Sequence, residues 1–179
     1  MRGLLVGRFQ PFHSGHLAVV RTLRAEHPSD ELILGIGSAQ ASFTWRDPFT
    51  AGERLEMVSG ALSEAGISGT LAVPIPDIDR HALWVRYLES LLPRFERVYT
   101  NNPLTQLLFD QAGYRVERPA LVERQRFEGA QIRAELAGDG DWRARVPASV
   151  ASYLDRLRAP ARLAILREGA ERSSAEARP

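Results

Sequence analysis

One stretch near the start of the chain, Gly7-Arg8-Phe9-Gln10-Pro11-Phe12-His13-Ser14-Gly15-His16, restricts the fold more than any other. The apolar run Leu4-Leu5-Val6 leads into it, and a helical pattern beginning near Leu17 leads out. Strand, glycine-bounded loop and helix are the parts with which an α/β chain turns backbone N–H groups toward a phosphate at a helix N-terminus. Neither G-x-x-x-x-G-K-[ST] nor G-x-G-x-x-G is present, so neither the P-loop nor the dinucleotide fingerprint applies. Two histidines stand three apart instead, on one face of a helix that starts near Ser14. Gly15 between them has no side chain to obstruct a ligand, and Arg8 offers a planar charged fork to the same phosphates. Substitution at phosphorus is catalysed mainly by positioning and by neutralising charge, which such a loop can supply. Two plainer readings remain beside it, a metal-binding histidine pair and histidines that only cap or pack. The chain has no cysteine and no H-E-x-x-H, and no metal ligand is assigned.

Buried strands and amphipathic helices then alternate. Strands are expected at Met1–Val6, Glu31–Gly37, Thr70–Ile75, Arg97–Thr100 and Tyr114–Glu117. Helices are expected at Gly15–Glu26, from Thr50 to about Glu64, at Leu104–Gln111, and in one segment with Trp84 on its first turns. Leu17, Val20 and Leu23 fall on one side of the first helix, and Thr50 with Glu53 forms a capping box for the second. His27 reads as an exposed turn residue without function, and Trp142 as packing. Pro147 suits the first turn of a helix ending near Leu157. A Rossmann-like doubly wound parallel sheet with a helical C-terminal part follows, with ligands at the strands' carboxyl ends. Ser38, in Gly37-Ser38-Ala39-Gln40, is placed either to start a turn or to face the nucleotide. Residues 1–157 make one domain; 158–179 read as an extension, a short helix followed by a loose end.

Composition limits the chemistry. The net charge of +1 gives no global basic field, so nucleic acid is not expected as a partner and a phosphate must be gripped locally. All 23 basic residues are arginine, which excludes lysine nucleophiles and Schiff bases. The lack of cysteine excludes disulfides and thiolate catalysis. Leu4–Val6 is too short for a signal-peptide core and no stretch suits a bilayer, so a soluble cytoplasmic protein is expected.

The Gly7–His16 stretch resembles the (H/T)-x-G-H signature of the nucleotidyltransferase superfamily, and its G-R-F-Q-P-x-H form resembles the archaeal-type nicotinamide mononucleotide adenylyltransferases. Gly37-Ser38-Ala39-Gln40 and the run from Arg46 to Arg54 are similar to that family's G-S-A-Q and R-D-P-F-T-A-G-E-R. The resemblance implies that Arg46 contacts ATP phosphates. It also implies that His13, His16, Arg8 and Arg133 hold and neutralise phosphates, beside Gly7, Phe9 and Gly15. Asp77, Ile78, His81 and Trp84 match D-I-x-x-N-x-L-W. Taken alone, Trp84 reads as core, but in the family this tryptophan stacks on nicotinamide, a cation–π contact. His81 replaces the family's asparagine. Asn102 belongs to a variant of G-N-P. The stretch from Arg124 to Arg133 stands where the superfamily has I-S-S-T-x-x-R. Against the archaeal form Y-S-G-T-E-[IV]-R it keeps Gly129, Ile132 and Arg133, with Glu128, Ala130 and Gln131 in place of serine, threonine and acid. The implied reaction joins ATP and nicotinamide mononucleotide (NMN) to give NAD and pyrophosphate. Mg²⁺ would be carried mainly on ATP phosphates, and the assembly would be homo-oligomeric, often hexameric. A sister enzyme with another phosphate acceptor and a non-catalytic nucleotide sensor are the alternatives.

Overall fold

The computed structural model describes residues 1–120 and 127–176. Its five strands are β1 (Arg2–Gly7), β2 (Glu31–Ile36), β3 (Thr70–Pro74), β4 (Arg97–Tyr99) and β5 (Arg115–Glu117). They lie in the order β3-β2-β1-β4-β5 and pair only in parallel. The chain winds outward from β1 to β3, crosses back, and winds out the other way through β4 and β5. The direction reverses between β1 and β4, where Leu4 sits in register with both Ile33 and Val98. In open parallel sheets the crevice at the carboxyl ends of such a strand pair is where ligands bind.

Alternation along the strands divides the core. Leu32, Leu34 and Ile36 of β2 pack on one face with helices α1 (Ser14–Glu26) and α2 (Ala51–Glu64). Ile33 faces the other way, with Leu4 and Val98, against α3 (His81–Leu91) and α4 (Pro103–Gln111). Leu17, Val20 and Leu23 of α1 are buried together as expected, and Thr50 with Glu53 closes the capping box on α2. The expected strand and helix ends hold to within one residue.

Three features depart from the sequence reading. The chain after α5 (Gly129–Leu136) and α6 (Ala148–Arg156) forms one continuous helix, α7 (Ala159–Glu176), rather than a short helix and a loose end. Ala159 and Leu163 anchor it, fully buried in the core shared with α1 and α2. Pro147 is the residue before α6 rather than part of its first turn. His27 is half-buried, not exposed: it caps α1, and both ring nitrogens lie 2.9 Å from Arg97 Nη1. Arg97 also meets Asp30 and Glu117, so His27 belongs to an ionic group near the amino ends of β2 and β4, away from the ligand crevice.

Candidate active site

The two histidines of the first motif are locked by the helix they begin. His13 is the N-cap of α1 and His16 its third residue. The backbone N–H of His16 donates to His13 Nδ1, and the backbone N–H of His13 donates to His16 Nδ1, each at 3.2 Å. An Nδ1 that accepts carries no proton, so each neutral ring bears its proton on Nε2. The rings stack with centroids 3.5 Å apart, and Phe9 and Phe12 pack on His16 at 4.9 and 5.4 Å. Burial pushes the His13 pKa down to about 4, and burial with the neighbouring His13 pushes His16 well below its ordinary value. The pair is therefore uncharged near neutrality. It offers two N–H donors and no positive charge.

Gly15 is required for a different reason than an open approach. A Cβ there would lie 2.7 Å from Cβ of Phe127, whose ring runs parallel to His13 at 6.2 Å. A protein side chain thus covers the space that the sequence reading left to a ligand.

A cavity of about 470 Å³, within the usual range for small-molecule sites, opens at the carboxyl ends of β1 to β4. Gly7 and Arg8 line it after β1, Ser38 after β2, and Asp77 and Ile78 after β3. His81 and Trp84 line it from the start of α3, Arg46 from the loop before α2, and Asn102 from the end of β4. Ser38 has a left-handed φ of 50° in a turn and lines the cavity. Trp84 likewise packs edge-on against Phe109 at 5.6 Å while lining the cavity. Asn102 spends its side-chain oxygen on the Thr105 N–H as the cap of α4. Phe9, His13, Gly15, His16, Gly129 and Arg133 are not among the lining residues. They lie beside it, with the Phe9 ring against both Gly7 and His16. Arg124 lies outside the described residues.

Four arginines converge here. Arg8 is held 3.5 Å from Asp47, a buried carboxylate, whereas Arg46 is exposed beside it. Arg133 is buried in the last turn of α5 and donates from Nη1 to the Gln10 carbonyl at 2.9 Å. Burial and the charge of Arg8 lower its pKa, and Asp47 opposes them. Arg54 is fully buried and donates to the carbonyls of Arg8, Gly37 and Ser38 at 2.9, 2.7 and 3.0 Å. It ties the carboxyl ends of β1 and β2 together under the cavity. Sequence reasoning missed that role, although a signal existed: Arg54 shares a helix face with Val58 and Ala61, where an apolar residue would otherwise stand. Gln10 was missed too. Its side-chain amide exchanges two 3.0 Å hydrogen bonds with the Phe49 backbone and so docks the Arg46 loop on the first motif. Among the described residues no group of three or more His, Asp or Glu side chains is assembled to hold a metal ion. Of the carboxylates around the cavity, Asp47 pairs with Arg8 at 3.5 Å and Asp77 accepts from the Gln40 amide at 3.3 Å, so a cation would enter here more readily on a polyphosphate than on the protein.

Residues 4–136 match the cytidylyltransferase-like family. A nicotinamide-nucleotide adenylyltransferase from Picrophilus torridus is 46% identical over 171 residues, spanning 96% of this chain and 100% of that protein. A protein of the same name from Haloarcula marismortui is 46% identical over 163 residues, 91% of this chain and 85% of its own length. Among solved structures, a bifunctional NMN adenylyltransferase/ADP ribose pyrophosphatase from Francisella tularensis, complexed with AMP and a Mn ion, matches with a TM-score of 0.61. The identity is 20% over 76% of this chain, which spans 41% of that protein. The likeness to it is one of fold.

Proposed function

The chain belongs to the nicotinamide-nucleotide adenylyltransferases of the cytidylyltransferase-like family, and from that premise we propose how its site moves the AMP group of ATP onto nicotinamide mononucleotide. A 5′-phosphate oxygen of the mononucleotide attacks the α-phosphorus of ATP in line. The new P–O bond forms as the bond to the bridging oxygen breaks, and pyrophosphate leaves with that electron pair, giving NAD. The attacking phosphate is already ionised near neutral pH, so no residue has to remove a proton.

One observation carries this reading: the stacked His13–His16 pair with both Nδ1 atoms occupied. Its Nε2–H groups donate to phosphate oxygens as charge builds on them in the transition state, at no cost of reorientation. Arg8 exchanges its loose pair with Asp47 for the triphosphate, and Arg46 and Arg133 bind the departing pyrophosphate. Gly129 opens α5, whose first N–H groups add to that grip. Trp84 faces the nicotinamide ring, with Asp77, Ile78 and His81 on the rest of the mononucleotide. When bound through phosphate oxygens, Mg²⁺ supplies further charge neutralisation.

The test is purified protein with ATP, Mg²⁺ and NMN. NAD and pyrophosphate in equal amounts support the reading. ATP binding without product points to a sensor, and product only with another phosphate acceptor points to a sister enzyme. We also propose a cytoplasmic homo-oligomer, a hexamer as in the resembled family, with no nucleic-acid partner. Exposed Leu83, Leu104 and Leu107 on α3 and α4 support assembly, and light scattering tests it. No helix of the described residues is long and apolar enough to cross a membrane.

A further inference from the structure

The loop between β2 and α2 carries Arg46, and one residue of the C-terminal helix grips that loop on both sides of it. Arg162 of α7 stacks its guanidinium over Phe43 at 4.9 Å, three residues before Arg46. Its Nη1 also reaches the carbonyl of Pro48, two residues after Arg46, at 3.4 Å. The same fork makes a two-pronged pair with Glu53 at 2.8 and 2.9 Å. Glu53 in turn accepts the Thr50 N–H at 2.9 Å, so the pair is continuous with the cap of α2. Both side chains are mostly covered, at 19% and 15% exposure, where a paired charge is little screened by solvent. Burial alone would raise the Glu53 pKa, but Arg162 and Thr50 lower it on balance, so the carboxylate stays ionised. Fully buried Ala159 and Leu163 fix the helix on either side of Arg162.

We propose that Arg162 is a positioning residue for adenylyl transfer: by clamping residues 43–49 from the C-terminal helix, it aims Arg46 at the pyrophosphate half of ATP. The rest of the fold holds this loop through the Arg8–Asp47 pair at 3.5 Å and, at its far end, the Gln10–Phe49 pair, whereas Arg162 meets it on both sides of Arg46. Arginine is needed rather than any cation, since the two-pronged pair and the planar stack both require a guanidinium.

The proposal rests on the role given to Arg46 above, and a double-mutant cycle separates the two. In the full chain, Arg162→Met, Arg46→Ala and the double variant are compared in both directions of the reaction. Arg162→Met should raise the KM for pyrophosphate and lower kcat/KM for ATP by about tenfold, while the KM for NMN stays within about twofold. Arg162→Lys, which keeps the charge and loses the fork, should recover only part. In the Arg46→Ala background the effect of Arg162→Met should vanish, which a merely structural role would not produce. Equal losses with and without Arg46 overturn the proposal while leaving the Arg46 reading intact. An Arg46→Ala variant with an unchanged pyrophosphate KM removes that reading and the proposal together. Should Arg162→Met fail to fold, Arg162→Lys carries the same cycle.

Discussion

The rings of His13 and His16 stack at 3.5 Å, and each lends its Nδ1 to the other residue's backbone N–H. Two imidazolium charges would repel strongly at that spacing, and protonated Nδ1 atoms would lose both cap bonds. The folded state therefore resists protonation. A free imidazole titrates near 6.5, whereas burial brings folded His13 to about 4. Between those values the unfolded chain binds more protons, so stability falls as pH drops from about 6.5 to about 4. His13 alone accounts for roughly 3 kcal/mol at the lower end. Urea unfolding across this window should show the loss in the native chain and a smaller one in His13→Asn; identical slopes would mean the ring is not held neutral.

His16→Ala separates binding from chemistry. If the Nε2–H donates mainly as charge develops on phosphorus-bound oxygens, turnover should fall about 100-fold or more. ATP affinity, measured by titration without NMN, should change only a few-fold. Equal losses in both quantities would give His16 a ground-state role only.

Arg54→Met removes the donor of three carbonyls around the site while keeping most of the volume. Each buried acceptor left without a partner costs about 1–3 kcal/mol, so the variant should lose several kcal/mol in urea unfolding. It should also lose activity beyond the unfolded fraction, because Arg8 and Ser38 are no longer held at their strand ends. A loss below about 1 kcal/mol would mean that water replaces the guanidinium there.

Much of this was legible because it is local. The Gly7–His16 stretch, the Thr50–Glu53 box and the alternation of strands and helices are short-range patterns, and the structure keeps them. What escaped is what the fold brings together from a distance. Arg54 meets the Arg8 carbonyl, 46 residues away, and Arg162 meets Glu53, 109 residues away. Neither pairing has a periodicity that could announce it, and an arginine on a helix reads by default as surface. His27 was misread for the same reason: its partners Arg97 and Glu117 come from β4 and β5. The uncharged state of the histidine pair was also invisible, since it depends on how deeply Phe9, Phe12 and the cap bury the rings.

The second phosphate motif predicts a gain. Glu128 is the N-cap residue of α5 but makes no side-chain cap bond, and its carboxylate is among the charges acting on Arg133. Changing Glu128→Ser with Ala130→Thr restores the hydroxyls of the resembled family's pattern and removes a negative charge from the triphosphate's path. The KM for ATP should fall about threefold to tenfold, and less so at high salt. An unchanged or higher KM would mean that Glu128 does not face the phosphates.

Trp84 tests how the site selects its acceptor. The ring touches Phe109 edge-on at 5.6 Å and also lines the cavity, so it has a packing role and a recognition role to separate. Trp84→Phe keeps an aromatic face and part of the packing; Trp84→Ala removes both. A pyridinium cation against an indole face is worth about 0.5–2 kcal/mol. Trp84→Ala should therefore raise the KM for NMN by about tenfold and Trp84→Phe by less, with the KM for ATP nearly constant in both. The asymmetry is the decisive part. If both substrates weaken together, and thermal stability falls in step, Trp84 acts as a wedge against Phe109 that shapes the whole cavity. If only NMN weakens, and in the order Ala then Phe, the ring recognises the charged nicotinamide directly.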